Sequence, residues 1–303
     1  MRTVSTAREL RAAVAAARTA GPHGAAATGL GRVALVPTMG ALHDGHLALV
    51  DEARRRTDVV VMSIFVNPLQ FAPTDDLARY PRDPAGDTAK AAARGVDVLF
   101  TPDVTTLYPR EPRVHVVPGP IADRWEGAVR PGHFAGVLTV VAKLLHLAAP
   151  DVAVFGQKDA QQVAVVRAML EDLDFAPEFF VVPTVREDDG LALSSRNVYL
   201  DADQRRRAAV IPRALAALER AFDDGETDAA VLGAVVERGL RDGGDLTADY
   251  VAITDPATLE PVERATRGTL VMVAARVGTT RLLDTIVLGE PRFGTGLTVS
   301  AAP

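Results

Sequence analysis

The segment Val36-Pro37-Thr38-Met39-Gly40-Ala41-Leu42-His43-Asp44-Gly45-His46 sets two histidines three residues apart where a short apolar strand gives way to a helix. A helix start leaves backbone N–H groups without intrahelical partners, and with imidazoles beside them such a junction suits a phosphate. From the segment alone two other uses stay open: a structural pair at a helix start, or two metal ligands. The metal use is the weaker, since the chain has no HExxH spacing and no cysteine.

Three more segments carry chemistry at strand ends. Phe155-Gly156-Gln157-Lys158-Asp159-Ala160-Gln161-Gln162 follows an apolar run and opens a helix. Its Lys158 ammonium lies either in solvent or on phosphate oxygens, with Gln162 one turn on. Leu193-Ser194-Ser195-Arg196-Asn197 offers two hydroxyls and a planar fork of donors in a loop able to close over a triphosphate, although Ser-Ser-Arg alone is unspecific. Asn67 and Gln70 follow the β-branched run Asp58–Phe65 and either brace a loop or hold a hydroxy acid. By contrast, Gly29-Leu-Gly31-Arg-Val-Ala34 fits the dinucleotide pattern GxGxxA but precedes a strand, so it cannot bring a helix N-terminus to a pyrophosphate. Arg54–Arg56 and Arg205–Arg207 lack interleaved aromatics and read as solvated helix faces.

These residues need a scaffold, and 303 residues suffice for one large or two modest domains. A net charge of −6 argues against broad capture of nucleic acid or anionic membrane. The lack of cysteine removes disulfides and thiolate chemistry and fits a reducing cytoplasm. Ala7–Ala20 contains Glu9 and reads as an amphipathic helix, not a targeting peptide; Phe134–Ala149, the most apolar helix, is too short to span a bilayer.

Strands at Val33–Val36, Asp58–Phe65, Val96–Phe100, Asp151–Phe155 and Phe179–Thr184 alternate with helices at about His46–Arg56, Ala85–Arg94, Phe134–Ala149 and Asp159–Leu170. That alternation predicts an α/β fold, a Rossmann-like doubly wound parallel sheet with the Pro37, Asn67 and Gly156 turns along one edge. On Phe134–Ala149, residues Val137, Val140, Val141, Leu144 and Leu145 form one stripe. After Asn197, helices Ala202–Phe222 and Asp228–Arg241 and strands Ala248–Thr254, Thr269–Val277 and Arg281–Leu288 predict a second, smaller α+β domain. The expected division is a Rossmann-like domain over 1–185, a C-terminal lid over 186–290 and a flexible tail over 291–303, with Gly21–Gly31 a surface loop.

In order and spacing, the four motifs resemble the pantothenate synthetase (pantoate–β-alanine ligase) family of the HIGH-motif nucleotidylyltransferase superfamily. The resemblance runs from about Val33 to Tyr199 and resumes at Asp249-Tyr250-Val251 and from Val273 to Asp284. His43–His46 stands for the HIGH signature and Ser194-Ser195-Arg196 for the KMSKS loop. The resemblance implies an ATP-dependent condensation of pantoate with β-alanine to pantothenate. Pantoate's carboxylate attacks the α-phosphorus and releases pyrophosphate; the amine then attacks pantoyl adenylate and releases AMP.

The same resemblance implies residue roles. Met39, Gly40, Ala41, Leu42, His43, Asp44, Gly45 and His46 line the ATP site, with His43 on phosphates and His46 the proton donor. Gly156, Gln157, Lys158 and Asp159 hold the nucleotide, Lys158 on the phosphates and Asp159 on the ribose, and Val185, Leu193, Ser194, Ser195 and Arg196 complete that site. Catalysis falls to His46, His43, Lys158 and Arg196, while Gln70, Gln162 and Asn67 hold pantoate and Gln70 also adjoins β-alanine. Mg²⁺ comes with ATP, its protein ligands unassigned and Asp83 and Asp87 only candidates. A cytoplasmic homodimer built through the N-terminal domain is expected, with no nucleic-acid or membrane partner. Gln157 and Leu193 stand where many members carry Glu and Met. Two alternatives remain: a nucleotidylyltransferase that passes AMP to another small acceptor, which needs a basic pocket in place of Gln70 and Gln162, and a non-catalytic nucleotide-binding module, against which the intact His43, His46, Lys158 and Arg196 argue.

Overall fold

The computed structural model describes residues 1–20, 30–72, 77–244 and 246–290. The expected 291–303 tail, and all but the last two residues of the Gly21–Gly31 loop, lie outside the described residues. The larger sheet is parallel throughout, with strands β1 (Arg2–Val4), β2 (Val33–Thr38), β3 (Val59–Ile64), β4 (Val98–Phe100), β5 (Val152–Gly156) and β6 (Glu178–Val182) in the order β1-β4-β3-β2-β5-β6. Its helices are α1 (Ala7–Ala20), α2 (Asp44–Arg56), α3 (Pro84–Ala93), α4 (Val104–Leu107), α5 (Glu126–Val129), α6 (His133–Ala148) and α7 (Ala160–Asp172).

Residues alternate along each strand: Val33 and Leu35 enter the core shared with α1, α6 and α7, while Ala34 and Val36 enter the one shared with α2 and α3. Burial on both faces is why these strands read as continuous apolar runs. Strand order reverses between β2 and β5. From β2 the chain moves to β3 and β4 on one side, whereas β5 leads to β6 on the other, and sheets of this kind take ligands at the carboxyl ends flanking such a switch.

A second sheet is antiparallel, β7 (Thr247–Thr254), β8 (Leu270–Val277) and β9 (Thr280–Val287) in that order. One face packs Val271, Val273, Ala275 and Val277 with helices α8 (Ala202–Ala208), α9 (Val210–Asp223) and α10 (Ala229–Gly244). The other face sets Ala252, Leu270 and Met272 against Ala160 and Ala164 of α7, which seats this sheet beside the carboxyl end of β5. The α/β class with a smaller α+β unit is the one expected from the sequence.

Three details differ. The single helix expected over Ala202–Phe222 is two, because Pro212 has no N–H for the Ala208 carbonyl and clashes with it, so it fits only in the first turn of a new helix. Helix α6 is buried well beyond the expected stripe, with Phe134, Leu138, Thr139 and Ala142 covered as well, since α1, α7 and the 68–70 turn enclose it. Strand β1 went unread: three residues with only Val4 buried carry no pattern. No helix among the described residues is long and apolar enough to cross a membrane.

Candidate active site

A cavity of about 820 Å³ opens at the carboxyl ends of β2 and β5 and extends to β8 and β9 of the second sheet. At the end of β2, Gly40 (φ +84°) and Ala41 (φ +50°) turn the chain, and the buried carboxylate of Asp87 in α3 accepts hydrogen bonds from the N–H groups of Ala41 (2.8 Å) and Leu42 (2.7 Å). Lys90, one turn along α3, donates to the Leu42 carbonyl at 2.7 Å. Those two N–H groups are therefore not offered to a phosphate, and Gly40, Ala41, Leu42 and Asp44 lie off the cavity wall, which takes Met39, His43, Gly45 and His46.

His43 caps α2, and its N–H donates to Nδ1 of His46 at 3.4 Å, with the ring centroids 4.0 Å apart. An N–H can only donate, so Nδ1 of His46 accepts and the neutral ring carries its proton on Nε2. Burial, with Lys158 as the chief charged neighbour, pushes the His43 pKa down to about 4; burial and then His43 push His46 down to about 3. Gly45 is required where it stands, because a Cβ would lie 2.9 Å from the His43 ring.

At the end of β5, Lys158 Nζ sits 3.0 Å from Asp159. Burial works to raise the Asp159 pKa, but Lys158, joined by Arg196 and His133, outweighs it and holds the carboxyl below its ordinary value. Gly156, Lys158, Asp159 and Gln162 reach the wall; Gln157 turns away, its carbonyl oxygen accepting from the Thr184 N–H at 3.3 Å. Val185 and Leu193 through Arg196 close the far side. There the Ser195 hydroxyl lies 3.2 Å from that of Tyr80, Arg196 stacks over the Tyr80 ring, and Tyr199 donates to the Arg79 carbonyl, so this turn docks on the chain following β3.

Gln70 faces the cavity and Asn67 stands behind it, 1% exposed. Asn67 accepts from Leu69 N–H and the Tyr108 hydroxyl and donates to the Gly136 carbonyl and to Gln70 Oε1 at 3.0 Å. With its oxygen thus engaged, Gln70 presents its NH₂ to Met39 and the cavity. The contact needs a glycine at 136: a Cβ there would fall 2.2 Å from the Leu69 carbonyl oxygen.

Several wall residues escaped the sequence reading. Arg130 and His133 flank Gln70, and burial followed by Arg130 pushes the His133 pKa down to about 4. Phe65, Phe134, Val137, Val140 and Phe155 form an apolar side. A signal for His133 existed, a glycine–histidine pair opening an apolar helix, but no strand precedes it. The two magnesium candidates do not fit a metal: Asp83 caps α3 through Gly86 N–H at 3.0 Å, and both oxygens of Asp87 are taken by backbone. Among the described residues no cluster of three or more His, Asp or Glu side chains could hold a metal ion.

The family model described as pantoate-beta-alanine ligase matches residues 2–287. The chain belongs to that family. A pantothenate synthetase of Agrobacterium fabrum is 49% identical over 293 residues, 96% of this chain and 97% of that one. A solved pantothenate synthetase from Thermus thermophilus superposes with a TM-score of 0.87 at 49% identity, covering 95% of this chain and 99% of its own. A pantoate–β-alanine ligase from Francisella tularensis, solved with a β-γ ATP and β-alanine, gives a TM-score of 0.78 at 30% identity over 97% and 100%. The membership expected from four motifs thus holds along nearly the whole chain, both sheets included.

Proposed function

We propose that this pantoate–β-alanine ligase works through a pantoyl adenylate formed and consumed in the cavity between its two sheets. The observation that carries the reading is the pairing, in one cavity, of a cationic and imidazole side (His43, His46, Lys158, Arg196) with two amides (Gln70, Gln162) beside an apolar wall. The first side suits a triphosphate; the second suits a small branched hydroxy acid, whose oxygens accept from the amides while its methyl groups meet Phe134, Val137 and Val140.

In the first step a pantoate carboxylate oxygen bonds to the α-phosphorus and the bond to pyrophosphate breaks. His46, neutral with its proton on Nε2, donates that N–H as a hydrogen bond to the phosphate chain, whose negative charge raises the ring's pKa and favours the imidazolium that can then release a proton to the departing pyrophosphate. His43, Lys158, Ser194, Ser195 and Arg196 hold phosphate oxygens, and Asp159 the ribose. Asn67 acts through Gln70. In the second step the free amine of β-alanine bonds to the acyl carbon, AMP leaves, and the amine proton passes to solvent. Mg²⁺ would come bound to the triphosphate and supply charge neutralisation there, since among the described residues no group of carboxylates makes a cage for it. Residues 1–185 act as the nucleotide- and pantoate-binding domain and 186–290 as its lid. We also assign a cytoplasmic homodimer built through the N-terminal domain.

The test is exchange of labelled pyrophosphate into ATP, with substrates omitted in turn. Exchange is expected with pantoate and without β-alanine, and AMP and pantothenate only when all three are present. Absence of pantoate-dependent exchange overturns the adenylate route, and AMP transfer to a phosphorylated acceptor instead would establish the nucleotidylyltransferase alternative.

A further inference from the structure

The segment between α4 and α6 holds two features the ligation chemistry leaves unused. Trp125 has φ +52° and ψ −116°, a costly backbone conformation for so bulky a residue, and Glu126 is a carboxylate only 6% exposed. The groups that hold them come largely from the second sheet. The Trp125 indole donates to the Leu259 carbonyl at 3.0 Å, and its ring centroid lies 5.9 Å from that of Tyr250. Arg281 of β9 donates to both Glu126 oxygens at 2.7 and 2.6 Å, while Asp249 of β7 accepts from Arg281 Nε at 2.5 Å.

From the other side, Gln161 of α7 accepts from the Glu126 N–H at 2.9 Å and donates to the carbonyls of Ile121 and Arg124. One turn beyond Glu126, Arg130 lies 3.6 Å from its carboxylate and 3.2 Å from both the Gln70 carbonyl and Nε2 of His133; His133 Nδ1 meets the same carbonyl at 2.8 Å. An unbroken series of contacts therefore runs from β9 through Glu126 to the residue that faces the acid substrate. A carboxylate this buried is tolerable only while its cations stay in place; take Arg281 away and Arg130 is the guanidinium that remains to be drawn in.

We propose that Glu126 is a positioning residue for the acid substrates: gripped by Arg281, it sets Arg130 and His133 against Gln70, so that the acid pocket takes its shape only with the second sheet seated. The proposal rests on the reading of Gln70 as the pantoate contact. It makes the lid sheet a determinant of acid affinity without any of its own side chains touching the acid, and it leaves the phosphate side to Lys158 and the histidines.

The experiment compares Glu126→Gln, Arg281→Gln, Arg281→Lys and the double Glu126→Gln/Arg281→Gln with the wild-type chain. Glu126→Gln is expected to raise KM for pantoate roughly tenfold, the scale of a charged hydrogen bond, with KM for ATP changed by less than about twofold. The double variant is expected to be no worse than the worse single one, because both remove the same contact. Arg281→Lys should recover part of the loss and serves where Arg281→Gln does not fold. Hydrogen exchange on the substrate-free protein gives a readout apart from turnover: Arg281→Gln should speed exchange over residues 126–133, which lie outside its own sheet. Equal rises in all substrate KM values, or unaltered exchange at 126–133, overturn the proposal. If wild-type protein shows no pantoate-dependent pyrophosphate exchange, the ligation reading falls, and the hydrogen-exchange result still decides whether Arg281 orders this segment.

Discussion

His46 is useful because it is neutral with a known tautomer. Its Nδ1 is engaged by the His43 N–H, which leaves Nε2–H as its donor, and a buried ring beside Lys158 sheds any second proton. The same desolvation acts on His43 and His133, so three histidines have pKa values of about 4, 3 and 4 against an ordinary 6.5. Between about pH 6.5 and pH 4 the unfolded chain therefore binds more protons than the folded one, and stability rises with pH across that window. It is fully present above the unfolded value and is lost as pH falls toward the folded ones. Calorimetry of the ligand-free protein should show Tm dropping between about pH 7 and pH 5, by roughly 1.5 °C for each kcal/mol in a chain this long. His46→Gln should shrink that drop. A Tm flat across the window would mean the rings keep ordinary pKa values.

Helix α3 contributes no residue to the cavity wall, yet it holds the turn at the wall's edge. Its Asp87 and Lys90 grip both polarities of the turn that carries the histidines, at the positive-φ residue Ala41 and at Leu42 just after it. Asp87→Asn keeps size and one acceptor but turns an NH₂ toward a backbone N–H, leaving a buried donor unpaired at about 1–3 kcal/mol. Urea unfolding should register that loss, and pyrophosphate exchange should fall about tenfold or more as the histidines lose register. An exchange rate equal to wild type would show that the turn keeps its shape without the carboxylate. The helix α3 itself was legible in the sequence, as were the buried strands and the motifs at their carboxyl ends, because period and turn residues are local signals. The partner of Asp87 was not: a carboxylate at a helix start reads the same whether it faces a metal or the N–H of a residue 46 positions earlier. Distance in sequence likewise hid the Glu126–Arg281 contact, 155 positions apart, and with it Arg130 and His133. Pro212 was readable and decisive, yet the apolar pattern on both sides of it favoured one continuous helix.

At the scale of the molecule, neither sheet alone makes the cavity, since its side with His43, His46 and Lys158 hangs from β2 and β5 and is closed by residues beyond β6 and on β9. Strand β9 does most of the joining. Besides Arg281, it sends the Thr285 hydroxyl to the Lys158 carbonyl at 3.0 Å and the Asp284 carboxylate to Arg186, just past β6 where the chain crosses between sheets. That last pair is two-pronged, at 2.7 and 2.8 Å, with side chains 4% and 1% exposed. Desolvating both charges cancels much of their attraction, so the pair says little about net stability by its presence, but either member left alone is a buried, unmatched charge. Asp284→Asn should therefore cost about 3–5 kcal/mol in urea unfolding, while Arg186→Met/Asp284→Leu together should cost clearly less than that single change. Because Arg186 also holds the Gly190 and Thr285 carbonyls, the single variant should loosen the 185–196 segment and weaken ATP binding along with stability. A loss below about 1 kcal/mol for Asp284→Asn, the range of an exposed pair, would mean that water reaches this junction and that the two sheets are held by their other contacts, the apolar packing on α7 and the Arg281 and Thr285 hydrogen bonds.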